Sequence, residues 1–235
     1  VGCAAAPGLS ACVKVVKLTA DTKQLQRELD IGNQLQRHPN IVQWHDVAAQ
    51  PNGFPEVAIV MEYCAGGTLQ AALNGETPLR GRGALSEPEA RRLFQQLVGA
   101  LAHVHHDWPG TGAFCHRDIK PDNVLFDGER LLLCDFGLGR GDAELRSPTT
   151  DDPEWSGPIT TGVGTVAYMP PEVTQADTGP YSGCAADIWS SGAMLLTGVL
   201  YKLPFGNGMG SQVKATIERI QACELVPDAA AALQG

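Results

Sequence analysis

The chain has 235 residues, of which 43% are hydrophobic, and this is enough for the core of one large domain or of two small lobes. Its formal net charge of −9 at pH 7 argues against a nucleic-acid-binding surface, which would need a basic stripe, and disfavours an anionic membrane as partner. Its seven cysteines are scattered, odd in number and without a C-x-x-C pair, so we expect free thiols in a reducing compartment (the cytoplasm, with the nucleus left open) and neither a disulfide framework nor a zinc site.

Strand patterns dominate the beginning of the chain. β-branched or partly alternating residues predict three strands, over residues 11–18, 41–47 and 57–62. Between the first two strands, residues 21–37 carry leucine and isoleucine at helical spacing, and Pro39 ends the helix that this spacing predicts. The glycine-containing residues 64–67 then interrupt the pattern and predict a hinge.

A long amphipathic helix is predicted next. Ser86 is followed three residues later by Glu89, which resembles the capping box found at helix N-termini. An apolar stripe runs from Leu93 to Val104, and the pattern ends near Trp108. Three histidines lie at the end of this helix, but they lack a matching set of cysteines or carboxylates, so we do not interpret them as a metal site.

The last third of the chain contains a predicted loop and a predicted core helix. Residues 131–133 predict a short strand, whereas residues 138–164 are rich in Gly, Pro, Ser, Thr and Asp and predict a long functional or mobile loop. The most apolar run, residues 185–200, contains Asp187 and is too short to span a bilayer, so it predicts a buried helix. Strands first and helices afterwards predict an α+β protein with two unequal lobes.

The strings H-R-D-I-K-P-D-N and, later, D-F-G carry the groups needed to move a phosphoryl group to a hydroxyl. Asp118 can accept the proton of that hydroxyl or orient it, and Lys120 can neutralise charge on the transferred group. Asn123 and Asp135 offer hard oxygen ligands that suit Mg²⁺. Because such a reaction depends on positioning and charge neutralisation, these residue types are sufficient for it.

Two further charged residues complete this set. Lys14, on the first predicted strand, could hold the α- and β-phosphates of a nucleotide, and Glu28, on the helix that follows, could hold that lysine by an ion pair. Each residue alone has a plain alternative, since a surface lysine and a helical glutamate are usually solvated charges.

In this order, the motifs resemble those of the eukaryotic protein kinase family, serine/threonine type, over nearly the whole chain. The resemblance includes G-T-V-A-Y-M-P-P-E at residues 164–172 and D-I-W-S-S-G at residues 187–192. It implies a two-lobed α+β fold, with a partial N-lobe over residues 1–63 and a C-lobe over residues 64–235. It also implies ATP and Mg²⁺ as cofactors and protein serine and threonine hydroxyls as substrates.

The resemblance assigns roles in adenine binding to five residues: Met61 as gatekeeper, Glu62 and Cys64 as backbone hydrogen-bond partners, Leu125 beneath the ring and Cys12 above it. Cys12 stands where the family has alanine, but it is small and apolar, so nucleotide binding should survive. The resemblance also implies that Asp187 anchors the backbone of the catalytic loop, and that His116 has a structural role below that loop.

Other residues resemble regulatory positions. Lys120 together with Thr165 resembles the serine/threonine class, and Arg117 would pair with a phosphate on the activation loop. Thr161 lies where many relatives are phosphorylated, which implies an upstream activating kinase; Ser147, Thr149, Thr150 and Thr160 are alternatives, or all are solvated turn residues. The segments at residues 181–183 and 216–220 resemble those of the plant and algal relatives of the AMP-activated kinases.

The chain also departs from the family pattern. No G-x-G-x-x-G loop precedes Lys14, and Gly8 fits a hairpin turn better; Gly32 stands where relatives carry a large apolar residue. Glu172 lacks the later arginine with which the family pairs it, and an unpaired buried carboxylate would cost about 3–5 kcal/mol. We therefore expect this stretch to be unstable alone. The alternative function is a pseudokinase or fragment that acts as a binding or scaffold module.

Overall fold

The computed structural model describes residues 2–6, 9–17, 38–49, 56–77, 83–106, 113–146, 165–175 and 179–233. The strands are β1 (Gly2–Ala6), β2 (Leu9–Lys17), β3 (Trp44–Ala49), β4 (Glu56–Glu62), β5 (Phe114–Cys115), β6 (Val124–Asp127), β7 (Arg130–Leu133) and β8 (Arg140–Gly141). The α-helices are α1 (Leu69–Asn74), α2 (Glu87–His106), α3 (Asp142–Arg146), α4 (Gly183–Leu200), α5 (Val213–Ala222) and α6 (Pro227–Ala232). The predicted α+β class is confirmed. The predicted helix at 21–37, with Glu28 and Gly32, lies outside the described residues.

The first four strands form an antiparallel sheet in the order β1-β2-β4-β3. All three predicted strands are present, with shifted ends. The register of β2 against β4 places Lys14 opposite Ile59 and Cys12 opposite Met61. Strand β1 was not predicted, because its glycine and alanines have low strand propensity and it is held by pairing with β2. Ala6 pairs with Leu9 in that hairpin, and Gly8 itself lies outside the described residues.

The segment before β3 joins the sheet to the helical part of the molecule. The Val42 N–H donates to Leu133 O at 3.0 Å, and the Leu133 N–H donates to Asn40 O at 2.8 Å. Ile41 therefore bridges β7 in parallel instead of starting β3, which explains why the strand predicted from residue 41 begins at Trp44. This pairing brings β7, and the residues that follow it, next to the sheet.

Helix α2 is the centre of the helical core. The predicted apolar stripe is largely confirmed, since Leu93, Leu97, Leu101 and Val104 are buried and Phe94 is partly buried. Val98, which the same stripe included, is exposed, so its predicted burial is wrong. The helix packs against α4 and β7. At its start, both the N–H and the hydroxyl of Ser86 donate to a single Glu89 carboxylate oxygen, at 2.8 and 2.6 Å. This is the glutamate half of the predicted capping box.

Helix α4 is the predicted buried helix. Among the described residues it is the one helix whose length and composition would let it cross a membrane, with a mean hydropathy of 1.2. Half of its apolar window is buried in the protein, and Asp187 on it is fully buried. Its first turn is capped by the Ser182 hydroxyl, which accepts from the Ala185 N–H at 3.3 Å. These contacts are those of a core helix.

One prediction about an irregular region is wrong at its start, over residues 138–146, and one short helix was not predicted; residues 147–164 of the predicted loop lie outside the described residues. The predicted loop over residues 138–164 starts with ordered structure, because β8 pairs with β5 and leads directly into α3. Helix α1 follows the predicted hinge without having been predicted; Thr68 caps its N-terminus and Gly75, at φ 73°, ends it. Six residues are too few for the helical period to be read from the sequence.

The expected burial of Glu172 is also wrong. Its side chain is exposed, so water can solvate the carboxylate and the expected cost of a buried, unpaired charge does not apply to this residue. The argument for instability that rested on this residue therefore fails.

Candidate active site

A cavity of about 360 Å³, here called the central cavity, lies between the sheet and strands β6 and β7. It brings together eight residues that the sequence predicted for the site: Cys12, Lys14, Met61, Glu62, Cys64, Asn123, Leu125 and Asp135. Six further residues line it and were not predicted: Val42, Trp44, Tyr63, Thr68, Asp122 and Cys134. Of the unpredicted set, Cys134 directly precedes the D-F-G string and could have been found by that position.

One end of the central cavity has an apolar lining. Burial, and then the charge of Glu62, raises the pKa of the Cys64 thiol to about 12. Burial, and then the charge of Asp135, raises the pKa of the Cys134 thiol to about 12 as well. Both thiols are therefore neutral near pH 7 and act as small apolar groups beside Met61 and Leu125. Such a lining suits a flat aromatic ring.

The residues after β4 offer backbone groups to this apolar end. The carboxylate of Glu62 is held by Arg130, with 2.7 Å between Nη2 and Oε2, and its other oxygen accepts from the Gln43 N–H at 2.8 Å. The Glu62 N–H donates to Gln43 O, so a ligand can use the Glu62 carbonyl but not its N–H. In the described part of the chain, no hydrogen bond engages the Cys64 N–H.

The other end of the cavity is polar and contains an ion pair. Lys14 Nζ lies 3.0 Å from Asp135 Oδ1. Burial by itself would raise the pKa of Asp135, but the ammonium of Lys14 outweighs it, with help from His116 and the Gly137 N–H, and the pKa is lower than usual. The predicted partner of Lys14, Glu28, lies outside the described residues; within the part of the chain that the structure describes, Lys14 contacts Asp135.

The catalytic string forms a compact cluster of polar side chains. Asp118 Oδ2 lies 2.7 Å from Lys120 Nζ and accepts from Asn123 Nδ2 at 2.9 Å. Asn123 Nδ2 also donates to the Asp118 carbonyl at 2.8 Å, which holds the loop closed on itself. Lys120 donates to the Thr165 hydroxyl at 3.0 Å. A carboxylate, an ammonium and a hydroxyl are thus in direct contact, as general acid–base and charge-stabilising chemistry requires.

Asp187 holds the base of this loop. Its two carboxylate oxygens accept from the backbone N–H groups of His116 and Arg117, each at 2.8 Å. This is the anchor that the resemblance implied. Oδ2 also contacts His105 Nε2 at 2.9 Å. This partner was not predicted, because the sequence does not show which of the three histidines at the end of α2 faces Asp187.

His116 connects the loop to the D-F-G string. Its Nδ1 accepts from the Asp118 N–H at 3.2 Å, so the ring proton is on Nε2, which donates to Cys134 O at 2.9 Å. The ring of Phe136 packs against it, with 4.7 Å between centroids. The predicted structural position of His116 below the loop is therefore confirmed.

The family sequence model described as protein kinase domain matches residues 2–232 of this chain. The chain belongs to the protein kinase family. Three plant relatives illustrate the match. This kinase domain is 35% identical over 211 residues to serine/threonine-protein kinase SRK2B of Arabidopsis thaliana. The aligned region covers 88% of this chain and 51% of the relative.

The two other relatives are from Oryza sativa subsp. japonica. CBL-interacting protein kinase 16 is 38% identical over 205 residues, covering 84% of this chain and 39% of the relative. Serine/threonine-protein kinase SAPK4 is 34% identical over 211 residues, and the aligned region covers 88% of this chain and 51% of the relative. The kinase domain thus spans about half the length, or less, of these curated relatives.

The guanidinium group of Arg117 has two observed partners. The backbone of Arg117 has a φ of 67°, its side-chain Nε donates to the Tyr181 hydroxyl at 3.1 Å, and its Nη1 donates to Leu138 O at 3.2 Å. The predicted phosphate acceptor, Thr161, lies outside the described residues. Tyr181 was not predicted as a partner, because it is 64 residues away in the sequence.

The side-chain oxygens of Asn123 and Asp135 in the kinase domain suit the divalent cation that accompanies a nucleotide. Asn123 uses its amide nitrogen for Asp118, and no hydrogen bond in the described part of the chain engages its amide oxygen. Asn123 and Asp135 both line the central cavity, and the Asn123 amide oxygen and the Asp135 carboxylate are hard ligands of the kind that Mg²⁺ takes. Protein kinases use ATP, typically with Mg²⁺, and this donor set is consistent with both.

Proposed function

We propose that the protein containing this domain transfers the γ-phosphoryl group of ATP to serine and threonine hydroxyls of protein substrates. The observation that carries the proposal is the contact cluster of Asp118, Lys120 and Asn123, next to the Lys14–Asp135 pair at the polar end of the central cavity. A binding module would have no need of these five groups together, and no observation favours the pseudokinase alternative.

ATP would lie along the cavity from its apolar to its polar end. The adenine ring would pack between Cys12 and Leu125, with its edge on the Glu62 carbonyl and the Cys64 N–H. The phosphates would reach Lys14. Because Lys14 is paired with Asp135, nucleotide binding would exchange one anionic partner of the ammonium for another.

The remaining polar groups would divide the chemistry among them. Asn123 and Asp135 would hold Mg²⁺, which neutralises charge on the phosphates when bound. Asp118 would orient the substrate hydroxyl and accept its proton, and Lys120 would stabilise negative charge on the transferred group. Glu28 would pair with Lys14 in the active arrangement. Met61 would limit the depth of the adenine site.

The serine/threonine class is supported by the contact between Lys120 and Thr165 and by the names of the plant relatives. A substrate hydroxyl near Asp118 would therefore come from serine or threonine. We propose that the N-lobe comprises residues 1–63 and the C-lobe residues 64–235. A cytoplasmic location, with the nucleus left open, remains a prediction from the cysteine content.

Regulation by an upstream kinase is part of the proposal. Phosphorylation of Thr161 would supply a phosphate for Arg117, whose guanidinium now bonds to Tyr181 and Leu138, and would raise activity. The test is the activity of full-length protein carrying Thr161→Ala after treatment with an activating cell extract. Unchanged activation would contradict the role of Thr161.

The function itself is tested with full-length protein, ATP, Mg²⁺ and peptides that differ only in carrying serine, threonine or tyrosine. We expect phosphate transfer to the first two peptides, and a loss of about 10²-fold or more in Asp118→Asn. Asp228→Asn is the matched control, because Asp228 is exposed on α6 and does not line the central cavity. Equal transfer rates for the wild type and Asp118→Asn would refute the catalytic role and leave the binding module.

A further inference from the structure

A second cluster of reactive side chains lies outside the central cavity. Cys115 Sγ is 3.5 Å from Cys184 Sγ and 3.7 Å from Asp142 Oδ1. The same carboxylate oxygen accepts from the Cys184 N–H at 3.3 Å. The three residues come from β5, α3 and the first turn of α4, so only the folded chain brings them together.

The closeness of the two sulfurs is built into the backbone packing. A Cβ atom placed on Gly183 would lie 2.6 Å from Cys115 Sγ and 2.8 Å from Cys115 Cβ, so the start of α4 lies directly against Cys115. The Ser182 hydroxyl donates to Asp142 at 3.2 Å and also caps the helix, which keeps that first turn in place. Cys115 is fully buried, whereas Cys184 is partly exposed.

We propose that Cys115 and Cys184 are a redox-sensitive pair that forms a reversible disulfide when hydrogen peroxide oxidises Cys184. The sulfurs must approach by about 1.5 Å to reach the bonded distance of about 2.05 Å. A side-chain rotation of Cys184, the more accessible of the two, supplies that movement.

The chemistry takes place in two balanced steps. The Cys184 sulfur attacks one peroxide oxygen, the O–O bond breaks, and the products are a sulfenic acid and one water. The Cys115 sulfur then attacks the sulfenic sulfur, the S–S bond forms, and the S–O bond breaks. The hydroxide leaves as a second water with the Cys115 proton, which Asp142 Oδ1 is placed to transfer. Two thiols lose two electrons in total, and one peroxide is reduced to two waters.

The two cysteines have different roles because their surroundings differ. Burial, and then the charge of Asp187, raises the pKa of the Cys115 thiol, so this thiol does not react with peroxide by itself. Cys184 is partly exposed at the start of α4, so peroxide can reach its sulfur. Cys184 therefore reacts first and Cys115 resolves the sulfenic acid.

A metal ion is the competing occupant of this cluster. The three side chains could each offer one ligand atom, but they are three, whereas structural zinc sites have four protein ligands. No fourth His, Cys, Asp or Glu joins the cluster in the described part of the chain. The contact between the sulfurs therefore favours the disulfide.

The test is peptide mapping of the full-length protein after exposure to hydrogen peroxide under native conditions. Remaining thiols are then blocked with N-ethylmaleimide in denaturant, and the protein is cleaved with trypsin without reductant. Cleavage releases residues 93–117, in which Cys115 is the one cysteine, and residues 147–202, in which Cys184 is the one cysteine. We expect these peptides as a linked pair, with the mass of their sum less two hydrogen atoms, which separates on reduction. This readout is independent of phosphoryl transfer.

Two variants and one metal measurement complete the test. Cys184→Ser should abolish the link and leave Cys115 reactive with maleimide after denaturation. Cys223→Ser removes an exposed thiol on another element and should keep the link. The proposal is overturned if the pair stays unlinked at peroxide concentrations that oxidise Cys223, or if the purified protein holds a stoichiometric metal ion that Cys184→Ser releases.

Discussion

The ammonium of Lys14 lies 3.0 Å from the Asp135 carboxylate, although the two residues are 121 positions apart in the chain. This contact joins the sheet to the loop after β7. It also sets the ionisation of Asp135, because the attraction to Lys14 outweighs the opposing effect of burial and lowers the pKa of the carboxyl group.

Replacing Lys14 by methionine should raise the pKa of Asp135 above that in the wild type, since burial remains and the cation is gone. Because the pKa of Asp135 is lowered in the folded protein, its carboxylate stabilises the wild type at pH values above about 3.9, the pKa of an unfolded aspartate. This stabilisation is lost as the pH falls through the lower pKa of the folded protein. In the Lys14→Met variant, the loss of folding stability on acidification that comes from Asp135 should be absent. Titration of the Asp135 carboxyl carbon by NMR measures the effect. Lys202→Met, in an exposed pair with Asp228, is the control and should leave Asp135 unchanged.

Replacing Asp187 by alanine should destabilise the domain by about 3–5 kcal/mol. The change leaves the N–H groups of His116 and Arg117 without their acceptor in a buried site. Urea unfolding, compared at equal m-value, measures the loss. Asp228→Ala, at an exposed position, should change stability little. A loss below about 1 kcal/mol in Asp187→Ala would contradict the anchoring role.

Replacing Gly183 by alanine should also destabilise the protein, by about 1–3 kcal/mol. The new methyl group would lie 2.5 Å from Leu145 Cδ1 and 2.6 Å from Cys115 Sγ, which outweighs the better helix propensity of alanine. Gly192 is the matched control on the same helix, because a methyl group added there would have no neighbouring atom within 4 Å. Gly192→Ala should stabilise by up to about 1 kcal/mol, and equal effects in thermal unfolding would refute the packing argument.

Alkylation should distinguish the thiols of the central cavity from an exposed one. With their pKa values raised to about 12, Cys64 and Cys134 carry almost no thiolate at pH 8 and should react with iodoacetamide far more slowly than exposed Cys223. Their rates should increase about tenfold per pH unit between pH 8 and 10. Peptide mass spectrometry at timed intervals gives the three rates. Comparable labelling at pH 8 would show that the cavity thiols are ionised.

Local patterns were sufficient for the two longest described helices, α2 and α4, and for strands β2, β3, β4 and β7. The stripe of α2 marks its buried face, and β-branched residues mark β2 and β4, so local patterns identified these three elements. The pattern failed at β1, α1 and β8, which are short or lack side chains typical of their class. These elements exist because neighbouring segments supply their pairing or caps, and a window of sequence does not contain that information.

The sequence by itself determined the family and the identity of the phosphoryl-transfer groups. Eight adjacent residues in the catalytic string constrain one another's chemistry, so their order carried the inference. Only the tertiary structure decided which distant groups meet: Lys14 with Asp135, His105 with Asp187, Arg117 with Tyr181, and Cys115 with Cys184. The physical reason is that such contacts depend on how whole elements pack. A spacing of tens of residues leaves the partners open until the core between them has formed.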